Sequence, residues 1–225
     1  MTEQMSTDPE FLQLFLRAYS QGAFLMGDEE EGSLAFYTAD PRSLIPIDGI
    51  RVSRSLSRRL KKRETQFTFD QNLPGVINAC REHRDDGQWI LPEFIPLYQD
   101  LARLGFAHSC EAWRHGKLAG GVYGIALGGC FFGESMFTRA ADAGKEALFV
   151  LVHQVRTLGF KIFDSQFINP HTASLGAYEV PASEFVLMLE EALHLSPGWS
   201  GQLAFDLDEA IISARRTSHR PFATS

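Results

Sequence analysis

A chain of 225 residues, 44% hydrophobic and 12% aromatic, can bury one substantial core, or one domain with a small appendage. Its net charge of -7 argues against a polyanionic partner for the chain as a whole. No apolar run approaches the roughly 20 residues that cross a bilayer, which excludes a membrane-spanning helix. The opening MTEQMSTDPE has neither the basic flank nor the apolar stretch of a signal peptide, so a cytoplasmic protein is expected. Cys80, Cys110 and Cys130 are odd in number and lack paired metal spacing, so they read as buried free thiols, with no metal site.

Taken in chain order, Phe11, Leu12, Phe15, Leu16 and Tyr19 recur at helical spacing over residues 9–21, and Gly22 reads as the stop. LAFYT then reads as a strand and DPRS as a turn. The next segment, RVSRSLSRRLKKR at 51–63, holds seven of the chain's 21 basic residues and no acid, leaving 14 basic residues against 28 acids elsewhere. Such a concentration in an acidic protein suits a phosphate backbone. As a helix it would place Arg51, Arg54, Arg58, Lys61 and Lys62 on one side, with Arg59 and Arg63 nearby, while Val52, Leu56 and Leu60 anchor the other.

QFTFD reads as a strand, residues 73–83 as a helix, and DDGQWILPEF as a loop closed by a Pro-started helix over roughly 92–104. From Phe106 to Phe137 three apolar strands joined by HGK and LGG form an antiparallel meander. GKEALFVLVHQVRTLG has the helical period and a Gly stop, KIFDSQ is a buried strand, and ASEFVLMLEEAL is an amphipathic helix. Meander, helix, strand and helix give an α+β layout with one side of the sheet covered. The tail beyond Leu195 carries no clear signal.

Two strand ends stand out as chemistry-bearing, GESMFTRAADAGKEAL at 133–148 and FDSQFINPHTASLGAYEVP at 163–181. A rigid sheet fixes side chains there while the following loop admits a substrate. Strict alternation would put Glu134 and Met136 on one face of their strand, and Asp164 and Gln166 on one face of theirs. An acid among apolar neighbours, such as Glu134, is costly unless partnered, which points to contact with an amino group.

In their order and spacing, HSCEAW, GGVYG, FFGESMFTR, KEAL, DSQ, N-x-HTASLGA and the following Pro181 resemble the leucyl/phenylalanyl-tRNA-protein transferase family. RAYSQGAF, RVSRSL and GQWI extend the resemblance over most of residues 9–181. It implies a GNAT-like acyltransferase domain at 43–225, with an antiparallel-centred mixed sheet flanked by helices, and a small reduced N-terminal domain at 1–42. It also implies transfer of Leu or Phe from aminoacyl-tRNA to acceptor proteins with N-terminal Arg or Lys, marking them for degradation, with no metal or organic cofactor. A Gly-rich stretch usual ahead of the first helix is not matched here.

By the same resemblance, Asp164, Gln166 and Glu134 are the catalytic residues, with the aspartate activating the glutamine as base. A neutral carboxamide binds a proton very weakly, so orientation of the amine or the tetrahedral intermediate is the better role for Gln166. Asp164 could then orient that amide or draw in the acceptor's cationic side chain. The reaction asks little more: an α-amine of pKa about 7.7 to 8 is partly neutral at neutral pH, and the donor is an activated ester. Val122, Phe131, Met136, Leu148 and Leu151 match positions of the aminoacyl pocket, Val122 standing where Met is common. Trp89 and Met26 match positions at the tRNA 3′ end, Met26 replacing a Trp. Lys145 follows a Gly144 that replaces a usual Ser, losing an N-cap hydroxyl and leaving Lys145 as a phosphate contact. Asn169 and His171 match loop positions, where His171 would brace the loop. Two alternatives stay open: a non-catalytic tRNA-binding relative, and an acyltransferase with another donor such as acyl-CoA, whose Q/R-x-x-G-x-G/A loop TRAADAGKEAL does not supply.

Overall fold

The computed structural model describes residues 8–28, 32–82 and 89–217. Helix α1 (Pro9–Ser20) starts on Asp8, whose carboxylate accepts the Glu10 N–H, with Pro9 in the first turn. Strands β1 (Phe24–Asp28) and β2 (Ser33–Tyr37) then pair antiparallel as a sheet of their own. Next come β3 (Arg42–Ile45), α2 (Arg54–Lys62), β4 (Gln66–Phe69), α3 (Leu73–Glu82) and α4 (Phe94–Arg103). The expected meander is β5 (Ala107–Arg114), β6 (Lys117–Leu127) and β7 (Cys130–Thr138). It is followed by α5 (Ala143–Leu158), β8 (Ile162–Gln166), α6 (Pro170–Ser174), β9 (Tyr178–Val180), α7 (Ala182–Leu193) and α8 (Leu207–Thr217). The first part of the loop expected before α4, residues 83–88, lies outside the described residues.

Seven strands form one sheet in the order β4-β5-β6-β7-β8-β3-β9, antiparallel throughout except for β7 with β8. Both of its faces are covered, not one. Tyr123, Ile125, Phe132, Ile162 and Leu44 point to a first face packed by α1, α3, α4 and α7 through residues such as Phe15, Val76, Tyr98 and Phe185. Val122, Phe131, Phe163 and Ile45 point to a second face packed by α2, α5 and α8 through Leu56, Leu151 and Ile211. The near-continuous burial of β5 and β6 reflects this double cover, because a strand with one wet face would alternate.

Two irregularities shape the centre. The parallel ladder between β7 and β8 runs only from Cys130 opposite Ile162 to Phe132 opposite Asp164, and beyond that the two strands no longer pair. On either side of this opening lies one unmatched residue. Gly133 faces Gly124 and Ser135 faces Tyr123, so Glu134 is extra in β7. Asp164 faces Leu44 and Gln166 faces Ser43, so Ser165 is extra in β8. Such bulges re-aim the side chains beside them.

The tail is anchored by side chains. Trp199 donates its indole N–H to Asp70 (2.6 Å) and stacks on His108, and the Gln154 amide holds the backbone of Ser200, Gln202 and Ala204. Cys80, Cys110 and Cys130 are buried and not joined in disulfides, and burial raises the pKa of Cys110 and Cys130. No helix among the described residues is long and apolar enough to cross a membrane.

Candidate active site

On the second face, where β7 and β8 part, lies a cavity of about 200 Å³. Ile45, Val122, Met136, Leu148 and Phe163 make its apolar wall, and Glu134, Ser165, Gln166, Asn169, His171 and Thr172 its polar one. The volume is below the ~300–1,000 Å³ of drug-sized ligand sites and suits a single side chain.

Gln166 owes its place to the β8 bulge. Pairing with Ser43 puts it on the second face, and its backbone is left-handed at φ 56°, where a non-glycine residue is strained. Its N–H donates to Asp164 Oδ1 (3.0 Å), while its side-chain Nε2 is buried without a hydrogen-bond partner among the described residues. An orphaned buried donor on a cavity wall is ready for an acceptor from outside.

Asp164 is therefore not on the same face as Gln166, as strict alternation would have it. It is fully buried toward the first face and does not line the cavity. Both of its oxygens are engaged by Arg42, Nε to Oδ1 at 2.8 Å and Nη2 to Oδ2 at 2.6 Å. Arg42 itself is 1% exposed, donates Nη1 to the Gly22 carbonyl (2.8 Å), and lies between the rings of Phe24 and Phe185, 4.8 and 4.6 Å from their centroids. A carboxylate so neutralised and enclosed cannot draw in an acceptor's cation, nor serve as a base. What it holds is the Gln166 backbone N–H. Arg42, read within the turn DPRS, instead opens β3, and the one signal that could have found it is the acid in the buried strand KIFDSQ, which needs a cation of its own.

Glu134 occupies the opening in the sheet, lining the cavity while reaching toward the first face. Tyr19 donates its hydroxyl to Oε1 (2.7 Å) and receives the Leu25 N–H in turn (3.3 Å), which ties α1 and β1 to the site. Burial pushes the Glu134 carboxyl up to about 8, the Tyr19 hydrogen bond opposing and the Asp164 charge adding to the shift. It is thus largely protonated at neutral pH. Tyr19 carried no signal beyond its place in an apolar helical stripe.

Of the five expected pocket residues, Val122, Met136 and Leu148 line the cavity. Phe131 and Leu151 do not. Both are fully buried in the core of the second face, Phe131 packed 5.1 Å behind the ring of Phe163, which forms the wall in its stead. Ile45, Phe163, Ser165 and Thr172 line the cavity without having been singled out in the sequence.

The loop and helix around the cavity also differ from expectation. Asn169 caps α6, accepting the Thr172 N–H (2.9 Å) while Thr172 Oγ1 accepts the Asn169 N–H (3.0 Å). It is Asn169 that braces this loop. His171 faces the cavity, with Nε2 buried and unpartnered among the described residues. Helix α5 starts at Ala143 after Asp142, so Gly144 lies inside the first turn and is no N-cap. A Cβ there would come 2.6 Å from the Phe137 carbonyl oxygen and 2.3 Å from Thr138 Oγ1, so the glycine lets α5 lie against β7. Lys145 follows, half-buried, with its charge acting on His171.

In the basic segment, Ser53 caps α2 and Leu56 and Leu60 are buried beneath it, with Val52. Arg51 precedes the helix and donates its backbone N–H to the Leu175 carbonyl (2.7 Å), which joins the segment to the end of α6. Arg54, Arg58 and Lys61 are exposed with no carboxylate partner among the described residues, whereas Arg59 and the exposed Lys62 pair with Glu64 and Arg63 with Asp208. Trp89 packs edge-on against Phe94 at 5.8 Å, its carbonyl accepting the Gly27 N–H (2.9 Å) beside Met26. Both Trp89 and Met26 are partly buried against the core of the first face.

A side-chain-sized cavity, apolar on one wall and carrying an orphaned amide donor and a buried acid on the other, fits an enzyme that handles a small apolar group. Residues 44–190 match the family model for leucyl/phenylalanyl-tRNA protein transferase. A transferase of that name from Salinibacter ruber is 41% identical over 201 residues, covering 88% of each chain. Those from Herpetosiphon aurantiacus and Chlorobaculum parvum are 43% and 46% identical, covering 87% and 79% of this chain and 98% and 93% of theirs. The chain belongs to the leucyl/phenylalanyl-tRNA-protein transferase family, and is an aminoacyltransferase. Among solved structures, the C-terminal domain of a putative lysylphosphatidylglycerol synthetase from Agrobacterium fabrum overlaps 93% of this chain and 76% of its own, with a TM-score of 0.40 and 12% identity.

Proposed function

We propose that this chain moves a leucyl or phenylalanyl group from aminoacyl-tRNA to the N-terminal amine of proteins that begin with Arg or Lys, in the cytoplasm, marking them for degradation. The observation that carries this reading is the unpartnered Nε2 of Gln166 above a cavity of about 200 Å³. Val122, Met136, Leu148 and Phe163 would take the aminoacyl side chain, and Glu134 its amino group. Gln166 would donate to the ester oxygen, most strongly when that oxygen becomes an oxyanion.

Alignment supplies most of the acceleration. Holding a partly neutral amine against an activated ester in attack geometry removes about 7 to 11 kcal/mol of barrier at best. Arg42 and Asp164 fix the strained turn that aims Gln166, so they act by positioning. The exposed face of α2, with Lys145, would follow the tRNA backbone, and Trp89 and Met26 its 3′ end. The antiparallel-centred mixed sheet flanked by helices supports a GNAT-like reading of the domain at 43–225, with residues 1–42 as a small N-terminal part.

The test is incubation of the protein with labelled Leu-tRNA or Phe-tRNA and a peptide starting with Arg or Lys. Label in the peptide is the expected result. Binding of tRNA without any transfer overturns the reading in favour of a non-catalytic tRNA-binding protein.

A further inference from the structure

We infer that His171 is a catalytic residue: its unpartnered Nε2 takes the proton from the attacking amine and returns it to the departing ribose oxygen. This rests on the aminoacyl-transfer reading. Amide formation from a neutral amine leaves one proton on the new C–N bond that must go, and the ribose oxygen must gain one as it leaves. Few groups lining the cavity can shuttle it. The Gln166 amide binds a proton very weakly, and the hydroxyls of Ser165 and Thr172 bond to Ser43 and to the Asn169 carbonyl, neither of them a base. Asp164 is enclosed on the other face by Arg42.

His171 satisfies the geometric requirement. It lies on the wall formed by α6, and its Nε2 is buried and has no hydrogen-bond partner among the described residues. Asn169 and Thr172 already complete the cap of α6, so the imidazole is not needed to close it. Among the described residues, Lys145 on α5 acts on it and Glu134 on β7 lines the same cavity, while Arg51 is joined through its backbone N–H to the end of α6. Burial, with the Lys145 cation, holds its pKa below the usual histidine value, so the ring is neutral and able to accept at neutral pH. Across the cavity Glu134 keeps its proton and so does not compete with His171 as the base.

The step balances. The amine nitrogen bonds to the ester carbonyl carbon, whose oxygen takes the electron pair and faces Gln166. Nitrogen then gives its proton to His171 Nε2. As the carbonyl re-forms, the C–O bond to the ribose breaks, and that oxygen leaves with the pair and recovers the proton from Nε2. A peptide amide and a free ribose hydroxyl result, with His171 neutral again.

The test compares single-turnover transfer by the full chain, wild type, His171→Ala and His171→Gln, with and without added imidazole, and with thermal melts of each. A loss of at least ~100-fold in both variants, with imidazole restoring His171→Ala but not His171→Gln, is expected. Full activity in His171→Ala overturns the proposal, as does a loss that imidazole does not restore. Full activity in His171→Gln also overturns it, assigning His171 a hydrogen-bonding role only. A wild type that transfers nothing sinks the transfer reading itself, whereas an active wild type with indifferent variants sinks this inference alone.

Discussion

Arg42 and Asp164, 122 residues apart in sequence, meet through two parallel hydrogen bonds of 2.8 and 2.6 Å with neither side chain open to solvent. Burying the two charges is tolerable because each is almost completely satisfied: the remaining guanidinium nitrogen reaches Gly22 and the carboxylate also receives the Gln166 N–H. The pair couples the loop after α1 to the strand that carries Gln166.

Breaking this pair from one side should be severe. Arg42→Met leaves a buried, uncompensated carboxylate and should destabilise the chain by about 3 to 5 kcal/mol, read from urea midpoints. Adding Asp164→Asn should recover much of the loss, since no charge is then left unpaired. A double variant as unstable as Arg42→Met alone would show that packing between Phe24 and Phe185, not charge, holds the site.

Glu134 gives a pH signature. Its folded value of about 8 is above the ordinary carboxyl value of 4.5, so the folded state binds this proton more tightly than the unfolded one. Its contribution to stability is fully present below about pH 4.5, falls as the pH rises, and is exhausted above about 8. Glu134→Gln keeps an acceptor for Tyr19 and cannot titrate. The stability difference between wild type and variant should therefore shift in the variant's favour between pH 5 and 9. A difference constant over that range would mean that Glu134 titrates normally.

Gln166 should separate stability from activity. Gln166→Gly removes a left-handed strain of about 1 kcal/mol or more but loosens the unfolded chain by a similar amount, so the melting temperature should change little. Transfer should fall by about 10² to 10³, the usual loss of one oxyanion donor. An equal fall in stability and rate would make the residue structural.

The cavity wall can be tuned at Val122, which opposes Met136 across β6 and β7. Val122→Met adds length without branching and should shorten the cavity, so that Phe transfer falls more than Leu transfer, by roughly tenfold in the ratio of kcat/KM. The comparison of Leu-tRNA and Phe-tRNA under identical conditions reads this directly. An unchanged ratio would place the side chain elsewhere.

The strands of the meander and helices α1, α3 and α5 were legible because apolar spacing and Gly punctuation agree there with burial. The facing of Asp164 and Gln166 was not, because alternation is reliable only while every residue pairs, and Ser165 interrupts it. Glu134 is aimed by a bulge for the same reason. Arg42 escaped notice because long cations are seldom buried, and its partner is fixed by tertiary packing of β3 on β8, not by local sequence. Phe131 and Leu151 were assigned to the pocket by their match to family positions, and their sequence carries no sign of the difference, since an apolar residue looks alike in a wall and in the core behind it. The basic helix, by contrast, was plain from composition, but the division of its charges between salt bridges and solvent depends on Glu64 and Asp208, the latter far along the chain.

That division sets the last prediction. Arg54, Arg58 and Lys61 are exposed and have no carboxylate partner among the described residues, whereas Arg63 is paired with Asp208 on α8 and Arg59 with Glu64. Phosphate binding by the first three releases counterions without breaking any ion pair. The triple variant Arg54→Ala, Arg58→Ala and Lys61→Ala should weaken tRNA binding and lower the slope of log K against log salt by about 2 to 3, with thermal stability nearly unchanged because exposed side chains at these positions bury little. Arg63→Ala alone should change the slope less, since its charge is already shared with Asp208. Filter binding or fluorescence anisotropy across a salt series decides between them: a slope unmoved by the triple variant means that the tRNA backbone runs along another face of the protein.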